Sequence, residues 1–153
     1  GRRRWIAGPK LTQIDFYTQV EDKLQTACRL TAKAHSLGLR VTLFCPDSNM
    51  AGRLERMLWT VPPTGFLPHC RSDHELAPVT PVLIDTTGDS SVHDEVLINL
   101  HPERPASFSR FQRLAEIVST DDADRADARE RYRFYRDRGY AIRTHDLSGK
   151  TPQ

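Results

Sequence analysis

The sequence predicts an α/β fold, a single Rossmann-like three-layer sandwich with a mostly parallel sheet. The opening third alternates strand and helix patterns, which is typical of the βαβ units of parallel sheets. Residues Arg40–Cys45 form a nearly continuous apolar run, as expected of a strand buried on both faces. The 153 residues are 38% hydrophobic and 27% charged, which suits one folded domain with its own core.

Strand and helix patterns follow one another along the chain. Thr12–Tyr17 is rich in β-forming residues, and Val20–Leu37 carries apolar residues at helical spacing until Gly38 ends the pattern. In chain order we predict strand Thr12–Tyr17, helix Val20–Leu37, strand Arg40–Cys45, helix Asn49–Trp59, a broken segment Val61–Pro68, a polar loop Arg71–Pro78, strands Val79–Thr86 and Val96–Leu100 joined by Gly88–Asp94, a loop and short helix Pro102–Arg113, strand Leu114–Val118, helix Ala123–Gly139 and strand Tyr140–Thr144. The pattern amounts to about five or six strands with three or four helices.

We expect residues 11–147 to form the domain, with a flexible basic extension at 1–10 and a flexible tail at 148–153. The apolar stretch after Arg2–Arg4 is too short for a signal peptide, and no apolar run is long enough to cross a membrane. Three cysteines are too few for a disulfide scaffold, which favours a reduced, cytoplasmic location. A net charge of +2 does not by itself indicate a nucleic-acid binder.

The predicted helix Ala123–Gly139 is the most informative stretch. It has no internal glycine or proline before its end, and its acidic residues come early and its arginines late, which suits the helix dipole. Arg129, Tyr132, Arg133 and Arg136 fall at i, i+3, i+4 and i+7, so they share one face. Three guanidinium groups around one phenol could bind a carboxylate or phosphate and hold an aromatic group beside it. The alternative is a solvated face whose arginines pair with acidic neighbours on adjacent turns.

Motifs for catalysis, cofactors or metals are missing from the sequence. The first strand-to-helix turn, Tyr17–Glu21, contains no glycine, and neither a GxGxxG nor a Walker motif occurs. His69, Cys70 and His74 match no common zinc spacing, and no Gly-x-Ser-x-Gly elbow is present. Nothing in the sequence therefore demands an active site, a cofactor or a metal. A nucleotide-binding Rossmann-like enzyme and a direct single-stranded nucleic-acid binder stay open as alternatives.

Aromatic residues near the middle of the chain could form a pocket wall. Trp59 closes the second predicted helix, and Phe66 follows the rigid, extended segment Val61–Pro63. A tryptophan at a helix end beside a proline-rich turn suits such a wall, although an ordinary core position is the alternative. Joined with the arginine face, these residues predict an apolar pocket with a cationic rim.

The order and spacing of several short motifs carry a further signal. They are Thr12–Tyr17 as an opening strand, Leu58-Trp59-x-x-Pro62, Phe66-x-Pro68-His69, Ala77-Pro78-Val79, Val96–Leu100 and Ala128-Arg129-Glu130-Arg131-Tyr132-x-x-Tyr135-Arg136. Together, over about Thr12 to Thr144, they resemble the chi subunit family of the bacterial DNA polymerase III holoenzyme. The resemblance implies a non-catalytic accessory subunit of the clamp-loader complex, with a Rossmann-like fold that lacks a nucleotide site.

The resemblance also implies partners and site residues. The partners are the acidic C-terminal tail of single-stranded-DNA-binding protein and the psi subunit of the clamp loader, or a repair helicase in its place, so contact with nucleic acid is mostly indirect. The family's tail-binding pocket falls on Trp59, Phe66, Arg129, Tyr132, Arg133 and Arg136, with Val118 as its floor. The terminal phenylalanine of the tail is expected to enter this pocket, and an arginine to bind its terminal carboxylate.

Overall fold

The computed structural model describes residues 11–60, 67–90 and 92–149. These residues form seven strands, three α-helices and two short 3-10 turns. In chain order the elements are β1 Gln13–Val20, α1 Lys23–Ser36, β2 Val41–Phe44, α2 Ser48–Leu58, β3 His69–Arg71, a 3-10 turn Ala77–Val79, β4 Val82–Asp85, β5 Val96–Asn99, a 3-10 turn Phe108–Arg110, β6 Arg113–Ser119, α3 Asp122–Asp137 and β7 Ile142–Asp146.

The described strands lie in one open sheet in the order β3-β4-β2-β5-β6-β1-β7, and every neighbouring pair is parallel. Helices α1 and α2 cover one face, where Leu24 and Leu54 belong to the same buried cluster. Helix α3 covers the other face and contributes Ala128 and Tyr135 to a second cluster. The predicted α/β class with three layers is confirmed, and a sheet expected to be mostly parallel is parallel throughout its described strands.

Each helix begins at an aspartate and two of them are followed by a glycine. The side chains of Asp22, Asp47 and Asp121 accept a hydrogen bond from the backbone N–H three residues further on, at 2.9 to 3.1 Å. Gly38 and Gly139 follow α1 and α3 with φ of +80° and +85°, values that L-residues with a side chain rarely adopt. These local signals explain why the helix positions were predictable from the sequence.

Two predictions between α2 and β4 are wrong. His69–Arg71 forms the edge strand β3, which pairs only with β4, whereas the sequence analysis gave no strand there. The predicted strand Val79–Thr86 begins at Val82, because Ala77–Val79 forms a 3-10 turn first. The sequence did not reveal β3 because a strand of three residues is too short to show a recognisable alternation of apolar and polar side chains. With β3, the described residues contain seven strands instead of the expected five or six.

The ends of the chain and the proline-rich segment after α2 lie outside the described residues. This applies to the predicted basic extension at 1–10, to 150–153 of the predicted tail, and to Val61–Phe66. Of the helices that are described, none combines the length and the apolar character that a membrane span needs.

Candidate functional site

A groove of about 320 Å³ lies between α3 and the carboxyl-terminal ends of β1, β6 and the edge strand β7. We call it the α3 groove. Its lining consists of apolar and aromatic side chains, two arginines and several small polar residues: Phe16, Thr18, Gln19, Val118, Ser119, Arg125, Ala128, Arg129, Tyr132 and Thr144. No carboxylate belongs to this lining within the described parts of the chain, so the groove is positively charged.

The apolar floor of the α3 groove follows from the alternation of side chains along parallel strands. Phe16 of β1 and Val118 of β6 both point to the face that α3 covers, and both are buried in its core cluster. Ala128 is buried beside them on the helix. Tyr132 stays 37% exposed, and its ring meets Phe16 edge-on with centroids 5.3 Å apart. Because Phe16, Val118 and Ala128 are already buried, the exposed edge of Tyr132 is the main apolar surface that the floor offers to a further apolar or aromatic group.

The cationic wall consists of Arg125 and Arg129, one helical turn apart on α3. The Nη1 atom of Arg125 lies 4.0 Å from the carboxylate of exposed Asp122, the outer limit of an ion pair. Arg129 makes no hydrogen bond or ion pair with any residue that the structure describes. An exposed guanidinium that borders an apolar floor and has no partner in the described part of the chain can bind a carboxylate or phosphate without giving up a described contact.

The other two predicted arginines lie outside the groove lining. Arg133 donates from Nη1 to Oε2 of Glu130 at 2.7 Å and borders a separate concavity on the far flank of α3. Arg136 donates from Nε and Nη2 to Oδ1 of Asp137, at 3.2 and 3.1 Å. For these two residues the solvated, ion-paired alternative describes the structure better. Helical spacing correctly predicted that both arginines lie near Tyr132 on the surface of α3. The groove, however, borders the side of Tyr132 on which Arg125 and Arg129 lie.

The structure also separates Trp59 from the α3 groove. Trp59 directly follows α2, on the face opposite α3, and its ring meets His69 of the edge strand β3 edge-on at 5.9 Å. Five strand positions separate β3 from β1, or about 24 Å at a spacing of ~4.8 Å. The prediction that Trp59 borders Arg129 and Tyr132 is wrong, because α2 returns the chain to the opposite edge of the sheet. Trp59 is 60% exposed, so it is not an ordinary core residue either. Phe66 lies outside the described residues.

Seven of the ten residues that line the groove were not predicted from the sequence, and Arg125, Phe16 and Gln19 show three different reasons. Arg125 precedes Arg129 by four residues, so the helical spacing used for the other arginines could have found it. Phe16 could have been placed by the alternation of β1 with Ile14. Gln19 gave no signal: it has a φ of +59°, the one non-glycine residue with a left-handed backbone among those described, at a bulge where the register of β1 on β6 shifts.

The first turn of α3 is fixed to the sheet by Asp124. Its carboxylate accepts a hydrogen bond from the Ser119 backbone N–H at 2.7 Å and one from Lys23 Nζ at 3.2 Å. Burial alone would raise the pKa of Asp124, but these two donors hold it below its ordinary value. The charge of Lys23 is thereby occupied, which leaves Arg125 and Arg129 as the cations of the α3 groove.

The strand-to-helix turn that forms the usual nucleotide site of an open α/β sheet is short and carries an aspartate in this chain. Only Glu21 and Asp22 connect β1 to α1, and the Asp22 carboxylate accepts a hydrogen bond from the backbone N–H of Gln25 in the first turn of α1, where phosphate would bind in a nucleotide site. No three His, Cys, Asp or Glu side chains come together as a metal site in the described ranges.

Comparisons with known proteins agree on one family. A family model described as "DNA polymerase III chi subunit, HolC" matches residues 11–143. A curated protein of Pseudomonas aeruginosa, "DNA polymerase III subunit chi", is 37% identical over 142 residues, covering 90% of this chain and 98% of its own. Proteins of the same name from Haemophilus influenzae and Escherichia coli are each 31% identical, over 137 and 134 residues, and cover 86% and 87% of this chain and 95% and 89% of their own.

Proposed function

The chain belongs to the family of DNA polymerase III chi subunits, and on that premise we propose that it is a non-catalytic accessory subunit of the clamp-loader complex. It binds the acidic C-terminal tail of single-stranded-DNA-binding protein in the α3 groove. It connects that protein to the replisome in the bacterial cytoplasm through the psi subunit, or to a repair helicase instead. The observation that carries the proposal is Arg129, an arginine without a described protein partner beside an apolar floor.

The terminal phenylalanine of the tail occupies the apolar part of the groove. Its ring packs on Phe16 and Val118 and against the exposed edge of Tyr132, whose own ring already meets Phe16 edge-on. Burying an aromatic side chain of this size contributes about 1.5–3 kcal/mol. The floor is complete before the tail arrives, so little of this free energy is spent on rearranging it.

The terminal carboxylate of the tail is bound by Arg129. Arg133 and Arg136 already donate to Glu130 and Asp137, so binding through either would exchange one carboxylate for another. Hydrogen bonds between charged groups contribute about 1.5–3 kcal/mol, less where water screens them. Arg125, one turn toward the start of α3, attracts the acidic residues that precede the phenylalanine. Arg133 and Arg136 then contribute to the long-range electrostatic attraction of the acidic tail and make no direct contact with its terminal carboxylate.

Linking two partners at once requires a second surface away from the α3 groove. Trp59 lies at the opposite edge of the sheet and is 60% exposed, and Leu76 and Val79, which precede β4, are 55% and 78% exposed. We assign the psi subunit to this apolar edge. Phe66, which follows Trp59 in the sequence, keeps its assignment to the tail pocket only through the family resemblance.

The proposal is tested by titrating a fluorescent peptide with an acidic sequence and a free C-terminal phenylalanine. Polarisation should saturate with micromolar protein, and the same peptide without its last residue should lose most of its affinity, because both the ring and its carboxylate leave the groove. A peptide amidated at its C-terminus separates the two contributions. Equal binding of the complete and the shortened peptide would exclude the groove mechanism.

A further inference from the structure

A buried polar cluster joins α3 to the sheet beside the groove. We call it the Glu116 cluster; its members are Glu116 of β6, Asn99 of β5, and Arg131 and Tyr135 of α3. Their exposed fractions are 0% for Glu116, Asn99 and Tyr135 and 4% for Arg131. A carboxylate and a guanidinium this deeply buried are costly unless every hydrogen-bonding atom has a partner.

Both oxygens of the Glu116 carboxylate are fully used. Oε1 accepts from Arg131 Nε at 2.9 Å and from Asn99 Nδ2 at 3.0 Å. Oε2 accepts from the Tyr135 hydroxyl at 2.6 Å and lies 3.1 Å from the same Asn99 amide. Arg131 also donates from Nη1 to the backbone carbonyl of Pro102 at 2.6 Å. Two residues of α3, one helical turn apart, are therefore held by one carboxylate of the sheet.

The cluster reaches the groove through aromatic contacts. The Tyr135 ring lies 6.1 Å from Phe16, and Phe16 in turn lies 5.3 Å from Tyr132 in the groove. Arg131 stands next to Tyr132 in the helix and two residues after Arg129. Tyr135 of the Glu116 cluster is thus in ring contact with Phe16, which itself contacts the Tyr132 ring that the proposed ligand would touch.

Directional hydrogen bonds fix the rotation of a helix in a way that apolar packing does not. A rotation of about 20° moves a head group about 5–6 Å from the axis by about 2 Å, enough to break a bidentate contact. Of the four donor contacts to the Glu116 carboxylate, two come from α3, from Arg131 Nε and from the Tyr135 hydroxyl, and such a rotation would break both.

We propose that Glu116 is a positioning residue of the α3 groove: through Arg131 and Tyr135 it sets the rotation of α3 and the Phe16–Tyr132 contact, so that Arg129 and Tyr132 meet the ligand in binding geometry. This inference rests on the proposed tail binding. It assigns a binding role to a carboxylate that touches neither solvent nor ligand.

The test removes one hydroxyl and measures peptide affinity. Tyr135→Phe deletes the donor to Glu116 and keeps the ring. The matched control is Thr31→Val, which deletes a buried hydroxyl from α1 on the opposite face, where Thr31 donates to the Ala27 carbonyl at 2.8 Å. Both variants should melt at a lower temperature. Only Tyr135→Phe should weaken the complete tail peptide, by roughly three- to tenfold at 25 °C.

A double-mutant cycle separates positioning from general stability. In a Tyr132→Ala background, Tyr135→Phe should weaken binding by a smaller factor than in the wild type, because the part of its effect that acts through Tyr132 is absent and only the part that acts through Arg129 remains. Glu116→Gln, which keeps the shape and loses the charge, should weaken binding at least as much in protein that is folded by circular dichroism. If Glu116→Gln does not fold, the peptide affinity of Tyr135→Phe alone tests the positioning role.

The positioning role is overturned if folded Tyr135→Phe binds the peptide with wild-type affinity. It is also overturned if Tyr135→Phe lowers the affinity by the same factor in the presence and in the absence of the Tyr132 side chain. Failure of the proposed function looks different: Arg129→Ala and Tyr132→Ala would then bind the peptide like the wild type, and the positioning role would fall with it. If those two variants bind weakly while Tyr135→Phe binds normally, only the positioning role is wrong.

Discussion

Replacing Arg129 by alanine tests the assignment of the carboxylate contact, and the structure supplies a matched control. Arg133 lies one turn further along the same helix, carries the same charge and is also exposed, but it donates to Glu130 at 2.7 Å and lies outside the groove lining. Arg129→Ala and Arg133→Ala therefore change the net charge equally but alter different surfaces, and only Arg133→Ala also removes an exposed ion pair.

The expected change in peptide affinity for each variant follows from the surroundings of the side chain that it removes. A charged hydrogen bond contributes about 1.5–3 kcal/mol, and since Arg129 is exposed we take the lower end, about 1.5 kcal/mol, or roughly a tenfold higher Kd. Loss of Arg133 removes only a screened, distant charge, for which about 0.5 kcal/mol or less, roughly twofold, is expected. Neither substitution removes a buried contact, so melting temperatures should stay within about 1–2 °C of the wild type.

The assay is the polarisation titration with the complete tail peptide at about 50 mM salt, run for the wild type and the two variants. Circular dichroism melts serve as the folding control. If Arg133→Ala weakens binding as much as Arg129→Ala, affinity follows total charge and the α3 groove is not the specific contact. If neither variant changes the Kd, the assignment of the tail to this face of α3 is wrong.

Three further outcomes are expected. Raising salt from about 50 to 300 mM should weaken tail binding in the wild type, and less so in Arg129→Ala, because one of the screened contacts is already missing; a salt-independent Kd would contradict this. Trp59→Ala should leave tail affinity unchanged and reduce capture of the psi subunit in a pull-down, whereas weaker tail binding would place Trp59 in the groove after all. Stability should fall on acidification below about pH 6.5: burial lowers the pKa of His93, whose Nε2–H donates to the Thr80 carbonyl at 2.9 Å, so the unfolded chain binds a proton first. In urea titrations from pH 8 to pH 5, the free energy of unfolding should fall less in His93→Gln than in the wild type. An equal dependence of this free energy on pH in both proteins would rule out His93 as the cause.

Helix α3 was predictable because its signals are local. The predicted range Ala123–Gly139 differs from Asp122–Asp137 by one or two residues at each end, since an aspartate caps its start and Gly139 follows its end. The presence of Arg129 and Tyr132 on one face follows from helical geometry alone. Which side of Tyr132 faces the sheet depends instead on packing against Phe16 and Val118, and helical spacing does not contain that information.

The error at Trp59 has a different origin. The predicted pocket combined an aromatic residue after α2 with an arginine-rich helix more than sixty positions later, but these two helices lie on opposite faces of the sheet. Strand order decides such distances, and here β3 and β1 are separated by three intervening central strands and β6. The Gln19 bulge is similarly invisible, because no residue type marks it.

With the two proposed partners bound at the Trp59 edge and in the α3 groove, the width of the sheet between them would make the subunit a rigid spacer. Ligands about 24 Å apart do not collide, and a continuous hydrogen-bonded sheet gives no obvious hinge between them. A ligand in the α3 groove should then leave the affinity of the Trp59 edge unchanged, and the reverse should also hold. The overall binding constant of the ternary assembly is therefore the product of the two separate binding constants. Several tails on one oligomeric partner would raise retention through effective concentration alone, without any cooperativity within this chain.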